Sequence, residues 1–566
     1  MFNTANEKLI AKWLYLGVPF TALVVGNNIN YDPVNITKMM ALSVVGFAVL
    51  AIALTAQGKS LIRENKATSI FVALFLSFAL SAAVFSELPF QQNIFGVYGR
   101  NTGLITYLGL AGVLLGAVTL RSKNYFRKMI FGLIFSGLAN VVLNTFSLLG
   151  IELISWNNIY NTLLGTFGNP NFISSFLGIF FVASLGFLFG NNISIIFKLV
   201  SLPLFALTFY QILVTKSIQG IVVTALGTAI VGFFLVRHYL KLVWLQALYL
   251  CGSAIAAGFA IAGALQVGPL TQYIYKTSVS LRGEYWQAGL NMGMDHPLTG
   301  VGMDGYGDWF RRARDASAMI LPGPNTVTNS AHNVNIDIFA YGGFPLVISY
   351  FGLLAIAAVA IVKVALRQKN YDPIFVSLSA AWICYQAQAL ISINQIGLAI
   401  WGWALTGLVI GYEVATRNQS SEVSESNQMS NRARTKNKSS NESVGTWLIG
   451  ALGAAVGFAL AISPFVADST WRSSLGSGSL PTVQAAALKA PSDSYRMVNI
   501  AVLFEQNKFT AQAAEVIRVA VKYNPDHFDG WRVMANLSET TPEEKAEAKK
   551  NMIRLDPLNE EWKKLP

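Results

Sequence analysis

Long apolar runs dominate the chain, and short polar connections punctuate them. Stretches of about 18 or more apolar residues recur, each long enough to cross roughly 30 Å of hydrocarbon. They predict about 13 spans, at 9–26, 39–56, 68–86, 102–120, 129–148, 171–190, 196–214, 220–236, 243–263, 344–364, 373–392, 396–414 and 445–465. None shows the alternating segments of about 10 residues that a β-barrel needs. The pattern predicts an all-α, polytopic helical membrane protein. The first run, near Ala11 to Val25, has no clear cleavage signature after it and reads as a first span.

The connections set an orientation. One set is basic: Lys59, Arg63 and Lys66; Arg121, Lys123, Arg127 and Lys128; Arg237 and Lys241; Lys363, Arg367 and Lys369. These loops alternate with loops poor in lysine and arginine, so the positive-inside rule puts them and the N-terminus in the cytoplasm. The long polar interval at 264–343 then lies outside, and with an odd number of spans so does the C-terminal tail.

Composition agrees with this pattern. Hydrophobic residues make up 53% of the chain and charged ones 12%, against roughly 25% charged in soluble domains. Mean hydropathy is +0.47. The net charge of +12 follows from basic cytoplasmic loops and is no sign of nucleic-acid binding. Cys251 and Cys384 lie in apolar runs and imply no disulfide framework.

The outer interval concentrates the chemistry. Arg282, Glu284, His296, Arg311, Arg312, Arg314 and His332 all fall between Ser278 and Pro345. Ser278 to Met294 has helical spacing, with Leu281, Tyr285 and Leu290 on one side, and predicts an amphipathic helix at the interface. DHPLTGVGMDGYGDW is a glycine-rich turn region. It is not a dinucleotide signature, because no βαβ unit surrounds it. His332 precedes a span whose mouth is shaped by Gly342, Gly343 and Pro345. Taken alone, His332 reads as a helix-capping or interfacial residue, and His296 before Pro297 as turn structure. The three arginines at 311, 312 and 314 read either as a solvated face or as a grip on an acidic glycan or anionic lipid.

Three smaller outer loops add candidates. Arg100, in FGVYGRNTG, reads as a snorkelling interfacial residue or as a contact to a lipid headgroup or diphosphate. Asn169 and Asn171, in FGNPNF, suit either sugar hydroxyls or a turn that starts a helix at Phe172. Lys216, in TKSIQG, is an outward lysine against the charge rule and suggests a nearby anion. The acidic residues of the outer loop do not cluster at ligand spacing, so neither a metal nor any other cofactor is expected.

The tail has its own pattern. Residues 417–443 are rich in Ser and Asn and predict a disordered cytoplasmic linker. After the last span, Pro491, Pro525 and Pro557 recur at about 34 residues, with helical patterns between them. This resembles tetratricopeptide helix pairs. Two such units are fewer than the roughly three that stand alone, so the tail is expected to pack on a partner, such as an envelope protein, or on the membrane domain. A small helical cap with no binding role is the other reading. The organisation is a membrane domain at 1–415, a linker at 416–444, an extra span at 445–465 and a tail at 466–566.

RGEYWQAGLNMGMDHPLTGVG followed by SAHNVNIDIFAYGGFP resembles the O-antigen ligase and polymerase superfamily of bacterial membrane glycosyltransferases. FGVYGRNTGLITY, FGNPNF and TKSIQG resemble that family's outer-loop motifs in order and position, so the resemblance covers about residues 10–415. It implies transfer of a glycan from a polyprenyl-diphosphate carrier to an acceptor hydroxyl on a lipid, glycan or protein. The setting would be the outer face of the bacterial cytoplasmic membrane, in the synthesis of envelope polysaccharide such as lipopolysaccharide. It further implies His332 as the base and Arg282 as the diphosphate clamp, with Arg100, Lys216, Gln219, Asn171 and Glu284 as substrate-binding candidates. Where ligases often carry an arginine after the serine, this chain has Ser217-Ile218-Gln219-Gly220, preceded by Lys216. Ligation and polymerisation of repeat units both remain open. A transporter of polyprenyl-linked glycans is the alternative from another class, but its usual internal repeats and mid-membrane charges are not apparent.

Overall fold

The computed structural model describes residues 4–155, 158–190, 193–275, 277–368, 370–426 and 444–564. Every regular element among them is helical. Each predicted span falls on a helix, and ten helices among the described residues are long and apolar enough to cross a membrane. The helices Thr4–Leu23, Leu104–Val118 and Pro373–Ala389 cover the other predicted spans but fall outside that set. Two of the ten, Ile195–Val214 and Val243–Ala264, are apolar yet mostly exposed. That is how a lipid-facing helix looks without its lipid.

The two ends of the bundle are distinguishable by their contacts. At one end Arg121 pairs with Glu64 at 2.7 Å, its backbone N–H donates to Glu7 at 2.7 Å, and Thr446 donates to Asn6 at 2.9 Å. Arg367 and Glu413 pair at 3.2 Å near this end. At the other end Asp468 accepts from the Tyr31 N–H and the Tyr98 hydroxyl, both at 2.8 Å. The large polar interval and the tail gather at this second end.

Helix Val444–Leu475 connects the two ends. It lies along Asn35–Ala56, with Gly453 and Gly457 against the carbonyl oxygens of Phe47 and Ser43. A Cβ at Gly457 would stand 2.2 Å from the Ser43 oxygen. Small residues bring two backbones this close where lipid offers no hydrophobic drive. Buried Lys38, on Asn35–Ala56, donates to the Ala22 and Val24 carbonyls at 2.5 and 3.0 Å, so it caps the preceding helix. The helix Ile396–Ser426 runs past Thr416 into the segment read as linker, and 427–443 lie outside the described residues.

The polar interval folds as expected at its start, with helix Thr277–Asp295. Its end differs. The span predicted from 344 begins at Val334 and runs to Arg367, broken at Gly342 and Gly343. Gly343 has φ +62, and a Cβ there would meet the Pro297 carbonyl oxygen at 2.3 Å. The break frees backbone groups, and the glycine-rich turn takes them up. Val301 and Gly302 donate to Ala340 and Tyr341 at 2.8 and 3.1 Å, and Phe344 donates to Pro297 at 2.9 Å. Irregular backbone is tolerated here because it is buried in protein and hydrogen-bonded.

The tail is a second core. Helices Ser494–Gln506 and Thr510–Tyr523 pack as one pair, Phe528–Asn536 and Pro542–Leu555 as another. Met497, Phe504, Ile517, Trp531, Met552 and Leu555 fill it. It docks on the large loop. Arg311 and Arg314 both reach Asp556, at 2.9 and 2.6 Å, and Arg312 reaches Asp526 at 3.4 Å. The Arg311 guanidinium also lies 4.1 Å from the Phe528 ring centroid. These arginines are therefore neither a solvated face nor a grip on a ligand: the chain's own tail occupies them.

Candidate active site

The site is built on the turn Ser330–Asn333. Asp337, one turn into the following helix, accepts from the Ser330 hydroxyl and the Ala331 N–H, both at 2.7 Å. Ser330 Oγ in turn accepts from the His332 N–H at 2.9 Å. Asn333 caps the helix, accepting from Asn335 and Ile336 at 3.0 and 3.4 Å. Short polar side chains thus hold His332 at φ +54, a left-handed conformation uncommon outside glycine. His332 stands before the helix, free of its ladder. Among the described residues nothing hydrogen-bonds its imidazole.

Two arginines act on this imidazole. Arg282 comes from helix Thr277–Asp295 and Arg100 from the loop before helix Leu104–Val118. Burial first, then the charges of Arg100 and Arg282, push His332 down to about 3. It is neutral at physiological pH. Burial also lowers the Arg282 pKa from its ordinary value. Arg282 has no hydrogen bond or ion pair with any described residue, and Arg100 bonds only the side-chain oxygen of Asn329. Neither guanidinium forms an ion pair with a described carboxylate, although Arg100 acts on Asp304 through its charge, and two half-buried forks of this kind suit an anion. Tyr285, one turn from Arg282, places its ring 5.8 Å from the His332 ring.

Asp304 ties the Arg100 loop to the helix mouth. Its Oδ2 accepts from the Val97 and Thr102 N–H groups at 2.8 and 3.2 Å, and Oδ1 accepts from the Tyr341 hydroxyl at 3.2 Å. Burial raises its pKa; Arg100 and these donors oppose that. Neither Tyr285 nor Asp304 stood out as functional in the sequence. The one available signal for Asp304 was an acid set between glycines in a turn that otherwise looked like a connector.

Asn169, Asn171, Lys216, Ser217 and Gln219 form a second group at the same end, whereas Glu284 and His296 stay with the large loop. The Ser217 hydroxyl donates to Asn171 Oδ1 at 2.7 Å. Gln219 is buried, accepts from Ser175 at 3.2 Å and donates to the Ile391 carbonyl at 3.1 Å, so both ends of its amide are engaged. Asn169 caps the helix Pro170–Leu188, which starts two residues before the predicted Phe172. Lys216 is exposed at φ +57 in the turn before Ile218–Tyr239. Glu284 accepts from the Ser317 hydroxyl at 2.7 Å and not from Arg282. His296 packs edge-on to Trp309 at 4.6 Å.

Residues 203–351 match the O-antigen ligase family model. The match supports the O-antigen ligase and polymerase superfamily, and with it ligase-like glycosyl transfer at the family level. It includes Lys216, Gln219, Arg282, Asp304 and His332, and it excludes Arg100, Asn171 and the tail. No curated protein matches the chain.

Proposed function

We propose that the protein transfers a glycan from a polyprenyl-diphosphate carrier to an acceptor hydroxyl at the outer face of the bacterial cytoplasmic membrane. One observation carries this reading. A neutral, unbonded histidine lies within the influence of two arginine charges, and neither arginine forms an ion pair with a described carboxylate. In a single displacement, the acceptor oxygen attacks the anomeric carbon and its proton passes to His332. The bond from that carbon to the diphosphate oxygen breaks, and the electron pair leaves with the carrier, held by Arg282 and Arg100. The outcome is inversion at the anomeric carbon. Charge-assisted donors aimed at a leaving group are usually the largest catalytic contribution. A seated diphosphate also offsets the two positive charges that depress His332, so the base strengthens when the donor is bound.

The basic residues around Arg121 support a cytoplasmic position for that end of the bundle by the positive-inside rule, and with it an outer position for the site. The test is glycan transfer by the full chain reconstituted with a polyprenyl-diphosphate glycan. His332→Ala and Arg282→Ala should each abolish measurable transfer; transfer that survives both substitutions refutes the mechanism. The chain length of the product separates single ligation from polymerisation.

A further inference from the structure

A cleft of about 110 Å³ lies between the tail and the loop that carries Arg100. A cavity needs roughly 10–15 Å³ to hold one ordered water. The cleft has several times that space, so it has room for an occupant larger than a water. Four residues that line it have a buried polar atom with no partner: Asn101 Oδ1, Ser494 Oγ, Tyr523 OH and His527 Nδ1. Asn101 is 4% exposed and Ser494 7%. Buried polar groups are nearly always hydrogen-bonded, and leaving one unsatisfied costs about 1–3 kcal/mol. Four in one cleft point to something that binds there.

The chemistry of the walls narrows the occupant. Asp308, Asp468 and Asp493 line the cleft beside Arg496, whose guanidinium is spent on the carbonyls of Ala487, Lys489 and Pro491, and these acids disfavour a phosphate or a uronic acid. They do not form a metal-holding group. Asp468 is already held by Tyr31, Asp32 and Tyr98, and Asp308 by Gln92 at 2.6 Å. Of the unpartnered atoms, the Asn101 oxygen only accepts, whereas the two hydroxyls both donate and accept. Neutral sugar hydroxyls match that set. The aromatic side chains of Phe95, Tyr98 and Tyr495 supply the apolar part of the wall. We propose that this cleft is a subsite for one neutral sugar residue of the transferred glycan or of its acceptor, resting on the glycosyl-transfer reading above. Asn101 follows Arg100 in the chain, so the same loop serves the diphosphate and the sugar.

The test is saturation-transfer NMR on the full chain in nanodiscs. The probes are D-galactose, L-rhamnose and N-acetyl-D-glucosamine, with D-glucuronate as the charged control. At least one neutral sugar should give transfer that depends on the cleft, whereas any glucuronate signal should come from Arg100 and Arg282 and not depend on the cleft. Ser494→Phe, which fills the cleft, should reduce the signal at least fivefold. Tyr523→Phe, which removes only a hydroxyl, should reduce it about twofold. Absence of signal with every neutral sugar, or wild-type signal in both cleft variants, overturns the subsite. Glycan transfer measured on the same samples separates the two claims. Transfer without cleft binding overturns the subsite alone, and cleft binding without transfer overturns the enzymatic reading alone.

Discussion

His332 is set apart by what its surroundings do to its proton affinity. An ordinary histidine, near 6.5, would lose its base form progressively as pH falls to 5. His332 is held at about 3, so in the free enzyme its base form persists. We expect kcat/KM to stay flat from pH 8 to pH 5, with its acid limb lower still. The limb of kcat should lie higher, because the bound diphosphate offsets Arg100 and Arg282. Arg100→Gln removes one depressing charge and should move the kcat/KM limb upward. A pH series on the reconstituted protein checks both, and a kcat/KM limb near 6.5 in the wild type contradicts the arrangement. General-base help is typically worth about 10²–10⁴-fold, so His332→Gln should cost at least about 100-fold in kcat. Arg282→Lys keeps the charge but loses the fork, and a rise in KM with a smaller fall in kcat would mark lost ground-state binding. His332 and Arg282 were singled out in the sequence by the family resemblance, and the fold brings the Arg282 charge to bear on His332. Asp304 was not, because its work lies in bonds to Val97 and Thr102, over 200 positions away.

The broken helix Val334–Arg367 shows the same division at the scale of elements. Apolar runs locate spans well, since hydrocarbon thickness sets their length. They do not say where a helix begins outside the hydrocarbon, and the helical stretch VNIDIFAY before the span was therefore not predicted as helix. The break at Gly342 and Gly343 is what separates this stretch from the span, and it keeps the His332 turn on a short rigid piece of its own. Gly343→Ala combines a left-handed φ with a Cβ 2.3 Å from the Pro297 oxygen. The left-handed backbone alone costs about 1–2 kcal/mol. We expect a lower unfolding midpoint by tryptophan fluorescence and a loss of transfer larger than stability alone explains, because the turn must shift. Gly457→Leu makes a contrast. It pushes helix Val444–Leu475 off Asn35–Ala56 without touching the His332 turn, so it should lower stability while transfer per folded molecule falls less.

Across the whole molecule, the tail's placement was the least legible feature. Arg311, Arg312 and Arg314 looked like a surface charge run because their partners lie more than 200 positions further on. Folding brings Asp556 between two of them, with its carboxylate fully buried. Such a triad is fragile in a particular way. Removing one partner from a buried pair costs about 3–5 kcal/mol, because the charge left behind has no acceptor. Replacing all partners with apolar residues is often neutral. Asp556→Ala should therefore undock the tail, and proteolysis within Gly476–Ser479, before the first tail helix, should rise severalfold. Transfer should fall with it, since the same loop leads on to Asn329 and the Arg100 contact. The combined Arg311→Leu, Arg314→Leu and Asp556→Leu chain should regain most of the protection. Salt at 0.5 M should release the wild-type tail little, because buried pairs are weakly screened. Protection that stays intact in Asp556→Ala would mean the aromatic contacts of Tyr98 with Trp471 and Tyr495 hold the tail without the triad.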